Sequence, residues 1–193
     1  MSEKIPGIYQ QLSAERAMRP AHILALTLFA LLTCVFGLWT GPRMGDHECI
    51  NAIAAQNALQ GGSWLIPELG DVPLIRKMPL GVWAIGASSA AVGVVDSSAR
   101  DVTPFTARLP SAIAGVLTAL VVYWLGTMMF GATAGLVAGV ICSGSPALMF
   151  FARNAQVDMI LGLFCTLALA CLYRAIHGAT HRRLFLFVAY GAF

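Results

Sequence analysis

AHILALTLFALLTCVFGLWT, residues 21–40, is an apolar run without Asp, Glu, Lys or Arg. A helix needs about 20 apolar residues to cross the hydrocarbon of a bilayer, so this run predicts a first transmembrane helix. Lys4, Arg16 and Arg19 precede it, and the positive-inside tendency predicts that residues 1–20 are cytoplasmic. The run is longer than a signal-peptide core and no small-residue cleavage pattern follows it, which favours a retained anchor.

The composition extends this interpretation to the whole chain. Of its 193 residues, 58% are hydrophobic and only 11% are charged, and the mean hydropathy is +0.76. Apolar surface on this scale requires a lipid solvent, so the sequence predicts an all-α polytopic transmembrane helix bundle. The net charge of +3 is small and the basic residues are dispersed, which indicates no nucleic-acid partner. The five cysteines show neither metal-ligand spacing nor a disulfide pattern.

Further apolar runs follow after residue 105. They predict transmembrane helices near 107–130, 132–151 and 157–177, each bounded by Gly, Pro or charged residues, and another apolar run starts at 184. The sequence therefore predicts a multi-pass protein of the plasma membrane.

The uncharged stretch 78–95 has two interpretations. It is long enough to be a further crossing, but a crossing there would put the basic turn at His181, Arg182 and Arg183 outside the cell. A juxtamembrane helix over about 79–95 keeps that turn in the cytoplasm, so we favour it. Residues 41–105 then form an outer loop, and the turn at 152–158 lies on the same outer face.

The outer loop opens with two carboxylates. Asp46 and Glu48 stand at the start of a predicted helix over about 47–60, which Gly61 ends. Asp46 is either a helix cap, which satisfies free backbone N–H groups, or a general base whose basicity is raised by partial desolvation. His47, between the two, is either incidental or a ligand or proton shuttle.

Two further groups of charge are candidates for binding. Arg76 and Lys77 come just before a Pro-started helix, where they either extend to lipid head groups or neutralise one particular phosphate. Arg153 and Asp158 flank the turn between two predicted spans. They either pair with each other, which contributes little in water, or act as functional groups at the edge of the bilayer.

Several motifs in order resemble a known family. After the acidic residues come GSWLIP (62–67), RKMPL (76–80) with Trp83, ARLPS (107–111) and SGSPALMFFARNAQVDM (143–159). This order is similar to the C-type membrane glycosyltransferases, in the branch that contains lipid A aminoarabinose transferases and protein O-mannosyltransferases. The likeness covers residues 36 to about 176.

The resemblance implies transfer of a sugar from a polyprenyl-phosphate donor to a hydroxyl of a lipid, glycan or protein acceptor at the outer face of a bacterial-type inner membrane. It implies catalytic roles for Asp46, as the base, and Glu48. The substrate-binding residues that it implies are Arg76, Lys77, Arg153, Asp158, Trp64 and Trp83. The tryptophans either stack on a sugar, line the lipid groove or anchor the loop in the membrane interface. Participation of a divalent metal is left open.

The sequence departs from the family pattern in two places and in length. When the motif is aligned on Glu48, His47 stands where the family has an aspartate, so either the carboxylate has moved by one residue to Asp46 or the base is altered. Met78 replaces the first proline after the lysine. Family members carry many more spans, so the chain is expected to be an N-terminal fragment of such an enzyme. The alternatives are an inactive membrane bundle or a subunit whose partner polypeptide supplies the missing spans. A transporter is disfavoured because the middle parts of the predicted spans lack ionisable residues for a transport path.

Overall fold

The computed structural model describes residues 18–40, 43–69, 72–74, 79–95, 101–177 and 182–192. The predictions that rest on residues 1–17, Arg76, Lys77 and His181 fall outside these ranges. Eight α-helices occur in the described residues: α1 Pro20–Cys34, α2 Asp46–Leu59, α3 Pro79–Val95, α4 Pro104–Phe130, α5 Ala132–Gly144, α6 Pro146–Ala152, α7 Asp158–Ile176 and α8 Arg182–Gly191. A short 3-10 helix, Leu38–Thr40, follows α1.

The prediction of an all-α membrane protein is confirmed. Three helical segments are long and apolar enough to cross a bilayer: Pro20–Thr40, Pro104–Phe130 and Asp158–Ile176. The pair α5 and α6 meets the same test when taken together. The chain is therefore a multi-pass membrane protein with three or four candidate spans, while the side of the membrane on which each loop lies stays a prediction.

One predicted span is broken in the structure. The sequence predicts a continuous helix over 132–151, but α5 and α6 are bent by 61° at the residue between them. Ser145 there has extended dihedral angles, φ −71° and ψ 137°. The ring of Pro146 disfavours a helical conformation at the preceding residue and supplies no N–H to the ladder, which explains the break.

A small antiparallel β-pair was not predicted. β1, Glu68–Leu69, pairs with β2, Val72–Pro73, in the register Glu68↔Pro73 and Leu69↔Val72. Strands of two residues carry too little alternation to be recognised from sequence.

The chain divides into two compact units. The loop unit comprises Thr33–Gly115 and Pro146–Leu161, and the remaining residues form the helix unit. In the loop unit, α2 packs on α3 through small side chains. The buried cluster consists of Ala52, Ala54, Ala55, Val82, Ile85, Ala107 and Ala155. Alanine faces allow close approach of the helix axes, which favours van der Waals contact between them.

The first turns of α4 are fixed by polar contacts. Thr103 precedes the helix, and its hydroxyl accepts a hydrogen bond from the N–H of Thr106 at 3.2 Å, which caps the helix. Pro110 has no N–H to donate to the carbonyl of Thr106, one turn earlier. That carbonyl accepts a hydrogen bond from the Ser88 hydroxyl of α3 instead.

The helix unit depends on close helix packing. A Cβ atom on Gly135 of α5 would lie 2.7 Å from the carbonyl oxygen of Tyr123 in α4, so only glycine fits this contact. The Tyr123 side chain is fully buried, and its hydroxyl accepts a hydrogen bond from the N–H of Arg19 at 3.0 Å. The phenol therefore has a polar partner despite its burial.

Candidate active site

Glu48 is the centre of a buried hydrogen-bond network at the start of α2. Its carboxylate accepts hydrogen bonds from Nε and Nη2 of Arg108, each at 2.9 Å. It also accepts from the backbone N–H of Ala155 at 2.8 Å and of Gly45 at 3.2 Å. The Glu48 and Arg108 side chains are 5% and 3% exposed, so this is a buried bidentate ion pair.

Local sequence explains how the network assembles. Glu48 is the third residue of α2, where its side chain reaches back to the N–H of the N-cap Gly45. Arg108 lies in the second turn of α4, which Thr103 and Pro104 begin. Ala155 lies in the turn that follows α6. The carboxylate thus joins three segments that are distant in sequence.

One side-chain amide and one hydroxyl group also bind the turn that follows α6. Nδ2 of Asn51, one turn after Glu48, donates to the carbonyl oxygen of Ala155 at 2.9 Å. The hydroxyl of Ser111 in α4 donates to the carbonyl oxygen of Gln156 at 3.0 Å. The turn after α6 is therefore held from both α2 and α4, and the N–H and the carbonyl of buried Ala155 both have partners.

The network keeps Glu48 ionised. Burial raises the pKa of its carboxyl, but the hydrogen bonds from Arg108 and from the N–H groups of Ala155 and Gly45, with the charge of Arg108, outweigh burial and hold the pKa below its ordinary value. A carboxylate that accepts four hydrogen bonds has little capacity left to take up a proton.

Asp46 and His47 have a different environment from that of Glu48. Both are exposed, in the first turn of α2. Asp46 is the first residue of the helix rather than its N-cap, which is Gly45. A carboxylate at this end of a helix is favoured by the helix dipole. The structure therefore separates the two predicted catalytic carboxylates into one buried and one exposed group.

Arg153 and Asp158 are near in sequence but do not form an ion pair with each other, although both belong to the described chain. Arg153 is half-buried, and its Nη1 lies 3.4 Å from the carbonyl oxygen of Thr33 in the last turn of α1. Asp158 is exposed and begins α7. The sequence alternative in which these two residues pair is therefore wrong.

A cavity of about 450 Å³ opens beside Arg153 in the loop unit. Its lining residues are Leu38, Arg108, Pro146, Met149, Phe150, Arg153 and Asn154. Arg108 therefore belongs both to the Glu48 network and to the wall of this cavity. The volume is in the range of small-molecule sites.

Trp64 and Trp83 lie together. The indole N–H of Trp83 in α3 donates to the carbonyl oxygen of Trp64 at 2.6 Å. The ring of Trp64 rests on Gly86, where a Cβ atom would come within 2.6 Å of it. The two residues are 42% and 41% exposed. The contact fixes the turn at 63–67 on α3, and neither tryptophan is a buried core residue.

Sequence reasoning did not select Arg108, Asn51 or Ser111 as site residues. The signal for Arg108 was present, because a cation inside an apolar run of membrane-span length is costly unless it has a partner. Arg76 and Lys77 lie outside the described residues, so their predicted contact with phosphate stays a prediction. Within the part of the chain that the structure describes, no three His, Cys, Asp or Glu side chains form a group that could hold a metal ion.

The sequence of residues 76–193 matches the family model described as dolichyl-phosphate-mannose-protein mannosyltransferase. The chain belongs to this family. The matched range includes Arg108 of α4 and the turn after α6. These are two of the three segments that the Glu48 carboxylate joins. The family resemblance deduced from the motifs is thereby confirmed.

Two curated relatives of this mannosyltransferase family member illustrate the likeness. The undecaprenyl phosphate-alpha-4-amino-4-deoxy-L-arabinose arabinosyl transferase 2 of Proteus mirabilis (strain HI4320) is 26% identical, over 86% of this chain and 28% of its own length. The corresponding transferase of Pectobacterium carotovorum subsp. carotovorum (strain PC1) is 29% identical, over 75% of this chain and 24% of its own length. The chain thus spans about a quarter of the length of these relatives. No solved structure matches the chain.

Proposed function

We propose that this chain takes part in transfer of a sugar from a polyprenyl-phosphate donor to an acceptor hydroxyl at the outer face of a bacterial inner membrane. Family membership and the names of the relatives, which are undecaprenyl-phosphate-dependent arabinosyl transferases, support this reaction class. The acceptor is a lipid, a glycan or a protein. The proposal concerns the activity of the whole protein. In it, this chain contributes the first outer loop and the helices that support that loop.

The chemistry sets two requirements. A sugar on a lipid phosphate already carries its leaving group, so the protein must deprotonate the acceptor hydroxyl and stabilise the charge of the departing phosphate. The first requirement needs a carboxylate that is free to accept a proton. The second needs cations at the place where the phosphate is released.

The four hydrogen bonds to Glu48 are the observation that carries the assignment of roles. Because Glu48 is ionised and fully engaged, it is a positioning residue, and Asp46, exposed two residues earlier, is the general base. Rigid attachment of α2 to α4 and to the turn after α6 keeps Asp46 in a fixed place. A base must stay within hydrogen-bond reach of its proton donor, so this rigidity favours catalysis.

The remaining residues have roles on the donor side. In this proposal Lys77 and Arg76 bind the departing phosphate, and Arg153 supplies a further cation for the donor. Asp158, exposed at the start of α7, is assigned to substrate binding by the family resemblance alone. Trp64 and Trp83 present exposed ring faces, which suits stacking against a sugar or a lipid chain.

The test is the rate of sugar transfer from an undecaprenyl-phosphate-linked donor in membranes that contain the chain, with Asp46→Asn as the variant. Loss of a general base is expected to lower the rate by about 10²- to 10⁴-fold. Asp101→Asn is the matched control, because Asp101 is an exposed aspartate of the same unit that contacts only the Gln56 amide among the contacts seen. An unchanged rate in Asp46→Asn would show that the base is another residue.

A further inference from the structure

A groove of about 420 Å³ lies between α7 and α8 of the helix unit. Its volume is within the range of ligand sites in proteins. Its walls consist of alanine and leucine side chains and one tyrosine: Ala168, Leu169, Leu172, Leu186, Ala189 and Tyr190. None of these residues takes part in the proposed sugar transfer, so the groove is a separate feature of the chain.

The placement of α8 leaves this groove open. The Phe185 ring of α8 lies 6.2 Å from the indole of Trp124 in α4, measured between ring centroids. Ala189, one turn after Phe185, is buried. Leu186 and Tyr190, which line the groove, are exposed. α8 therefore packs on the unit through one face and presents the groove wall on another.

Two arginines continue the α8 wall of the groove. Arg182 and Arg183 are the first residues of α8 and precede Leu186 by four and three positions. Residues at these spacings are neighbours on one face of a helix, so both arginines lie in line with the groove-lining residues. Both are exposed. One end of an otherwise apolar groove thus carries two positive charges.

Within the described part of the helix unit no carboxylate balances these charges. That part comprises residues 18–32, 116–145, 162–177 and 182–192. It contains neither Asp nor Glu, and its arginines are Arg19, Arg174, Arg182 and Arg183. An anion at the start of α8 is therefore attracted by the unit and meets no repulsion from a described carboxylate in it.

A phospholipid with an anionic head group fits both parts of the groove. An unfilled space between helices forfeits van der Waals contact, and an acyl chain restores that contact. The guanidinium groups donate paired hydrogen bonds to a phosphate. Basic pockets between transmembrane helices are recurrent sites for anionic head groups. An apolar helix would fill the groove equally well but would leave Arg182 and Arg183 without an anion.

We propose that the groove between α7 and α8 binds an anionic membrane phospholipid, with Arg182 and Arg183 at its phosphate and an acyl chain between Leu172 and Leu186. In the predicted topology this end of the helices faces the cytoplasm, so the lipid belongs to the cytoplasmic leaflet. The sugar donor of the proposed function is used at the outer face. The site is therefore distinct from the donor site and does not depend on the proposed function.

The test is native mass spectrometry of the purified chain, which resolves individual bound lipids. The probes are phosphatidylglycerol, phosphatidylcholine with the same acyl chains, and sn-glycerol 3-phosphate, which carries the phosphate without chains. Phosphatidylglycerol is expected to bind at least about fivefold more tightly than phosphatidylcholine, whose positive choline is repelled by the arginines. Glycerol 3-phosphate is expected to bind more weakly still, because it makes no contact with the groove walls.

Arg182→Gln and Arg183→Gln are each expected to weaken phosphatidylglycerol binding about fivefold, the effect of one arginine beside an anionic lipid. Arg174→Gln is the matched control. Arg174 is an exposed arginine of the same unit, but it follows Leu172 by two positions and so lies on the opposite face of α7. Its substitution should change the affinity less than about twofold, because a charge outside the groove adds only a screened, long-range attraction.

A change in the groove wall tests the site if the glutamine variants do not fold. Leu169→Trp places an indole in the groove at a position that is 57% exposed, and it is expected to weaken binding at least about fivefold by filling the space of the acyl chain. Leu161→Trp is its control, because Leu161 is a leucine of the same helix that is 55% exposed and does not line the groove.

Several results would overturn the site. Equal affinity for the two phospholipids, or equal losses in Arg174→Gln and Arg182→Gln, would indicate diffuse attraction to a basic surface. Unchanged affinity in Leu169→Trp would show that the groove is not used. A dimer of the chain without bound lipid would identify the groove as a contact between helices.

Competition with farnesyl phosphate tests the identity of the lipid. Retention of phosphatidylglycerol at an equal concentration of farnesyl phosphate supports a membrane phospholipid as the ligand. Complete displacement would overturn that identification in favour of a prenyl phosphate.

Discussion

The loop unit and the helix unit are stabilised by different kinds of contact. In the loop unit a buried ion pair joins residues 60 positions apart, and side-chain hydrogen bonds to backbone atoms join segments more than 100 positions apart. In the helix unit the described contacts depend on missing side-chain volume at Gly135 and on the buried ring of Tyr123. A hydrogen bond fixes distance and direction together, whereas a glycine contact fixes mainly the distance between helices. The buried ion pair and most of the long-range side-chain hydrogen bonds described above occur in the unit that carries the candidate catalytic groups.

Breaking the ion pair should have the largest effect on stability. Arg108→Met leaves the Glu48 carboxylate buried without its counter-charge, which is expected to cost about 3–5 kcal/mol. Unfolding in detergent, followed by circular dichroism against denaturant, measures this loss.

The double variant Glu48→Gln with Arg108→Met is the control for that prediction. Removal of both charges is expected to restore much of the lost stability, because neither charge then stays buried alone. Additive losses in the double variant would mean that the two side chains contribute independently and that the pair does not hold the loop unit.

The corresponding change in the helix unit is Gly135→Ala. The added Cβ atom would lie 2.7 Å from the Tyr123 carbonyl oxygen, so α4 and α5 must move apart, at an expected cost of about 1–3 kcal/mol. Gly191→Ala is the matched control, because no atom lies within 4 Å of its added Cβ. If the two alanine variants unfold at the same denaturant concentration, close packing at Gly135 is not a determinant of stability.

Acid should weaken the loop unit through Glu48. Its pKa in the folded state lies below the ordinary value, so its contribution to stability is complete above the pKa of the unfolded chain, about 4.3, and is lost as the pH falls through the folded-state pKa. The stability difference between the unchanged chain and Glu48→Gln should therefore be constant near neutral pH and shrink only below about pH 4.3. A difference that already declines between pH 7 and pH 5 would contradict a lowered pKa.

Trp83→Phe should have the smallest effect. It removes the hydrogen bond to the Trp64 carbonyl oxygen and keeps most of the aromatic surface, at an expected cost of about 1 kcal/mol. Hydrogen exchange should become faster in the turn at 63–67 and stay unchanged in α5. Trp39→Phe is a suitable control, because Trp39 is an exposed tryptophan outside this contact. Equal exchange in both variants would show that the indole does not fix the turn.

Hydropathy was sufficient to predict the three helical segments that are long enough to cross a bilayer, because a long uncharged run has few other solutions in lipid. The helix starting near Asp46 and the one starting at Pro79 also follow from local signals, the acidic first turn and the leading proline. The break at Ser145 also had a local signal, the proline at 146. The prediction followed the hydropathy of 132–151 instead and gave one continuous helix. Features that depend on one or a few neighbouring residues, such as the start of a helix, could thus be predicted from the sequence.

The pairing of Glu48 with Arg108 was not accessible in this way. The residues are separated by 60 positions, and no local rule predicts which cation a carboxylate meets at that distance. Asp46 and Glu48 also look equivalent in sequence, because both are acidic residues in one helical turn. In the structure Asp46 is exposed, whereas Glu48 is buried. Only the position of α4 and of the turn after α6 distinguishes them.

Pro110 gives α4 an acceptor that a regular helix would keep for itself. The carbonyl of Thr106, released from the helical ladder by the proline, is available to Ser88 of α3. The missing hydrogen bond within α4 thus allows a hydrogen bond between α4 and α3. Pro110 therefore contributes to the placement of α3 although it lies in α4. In Pro110→Ala a new N–H at position 110 would compete with the Ser88 hydroxyl for this carbonyl, although no atom of α3 would change.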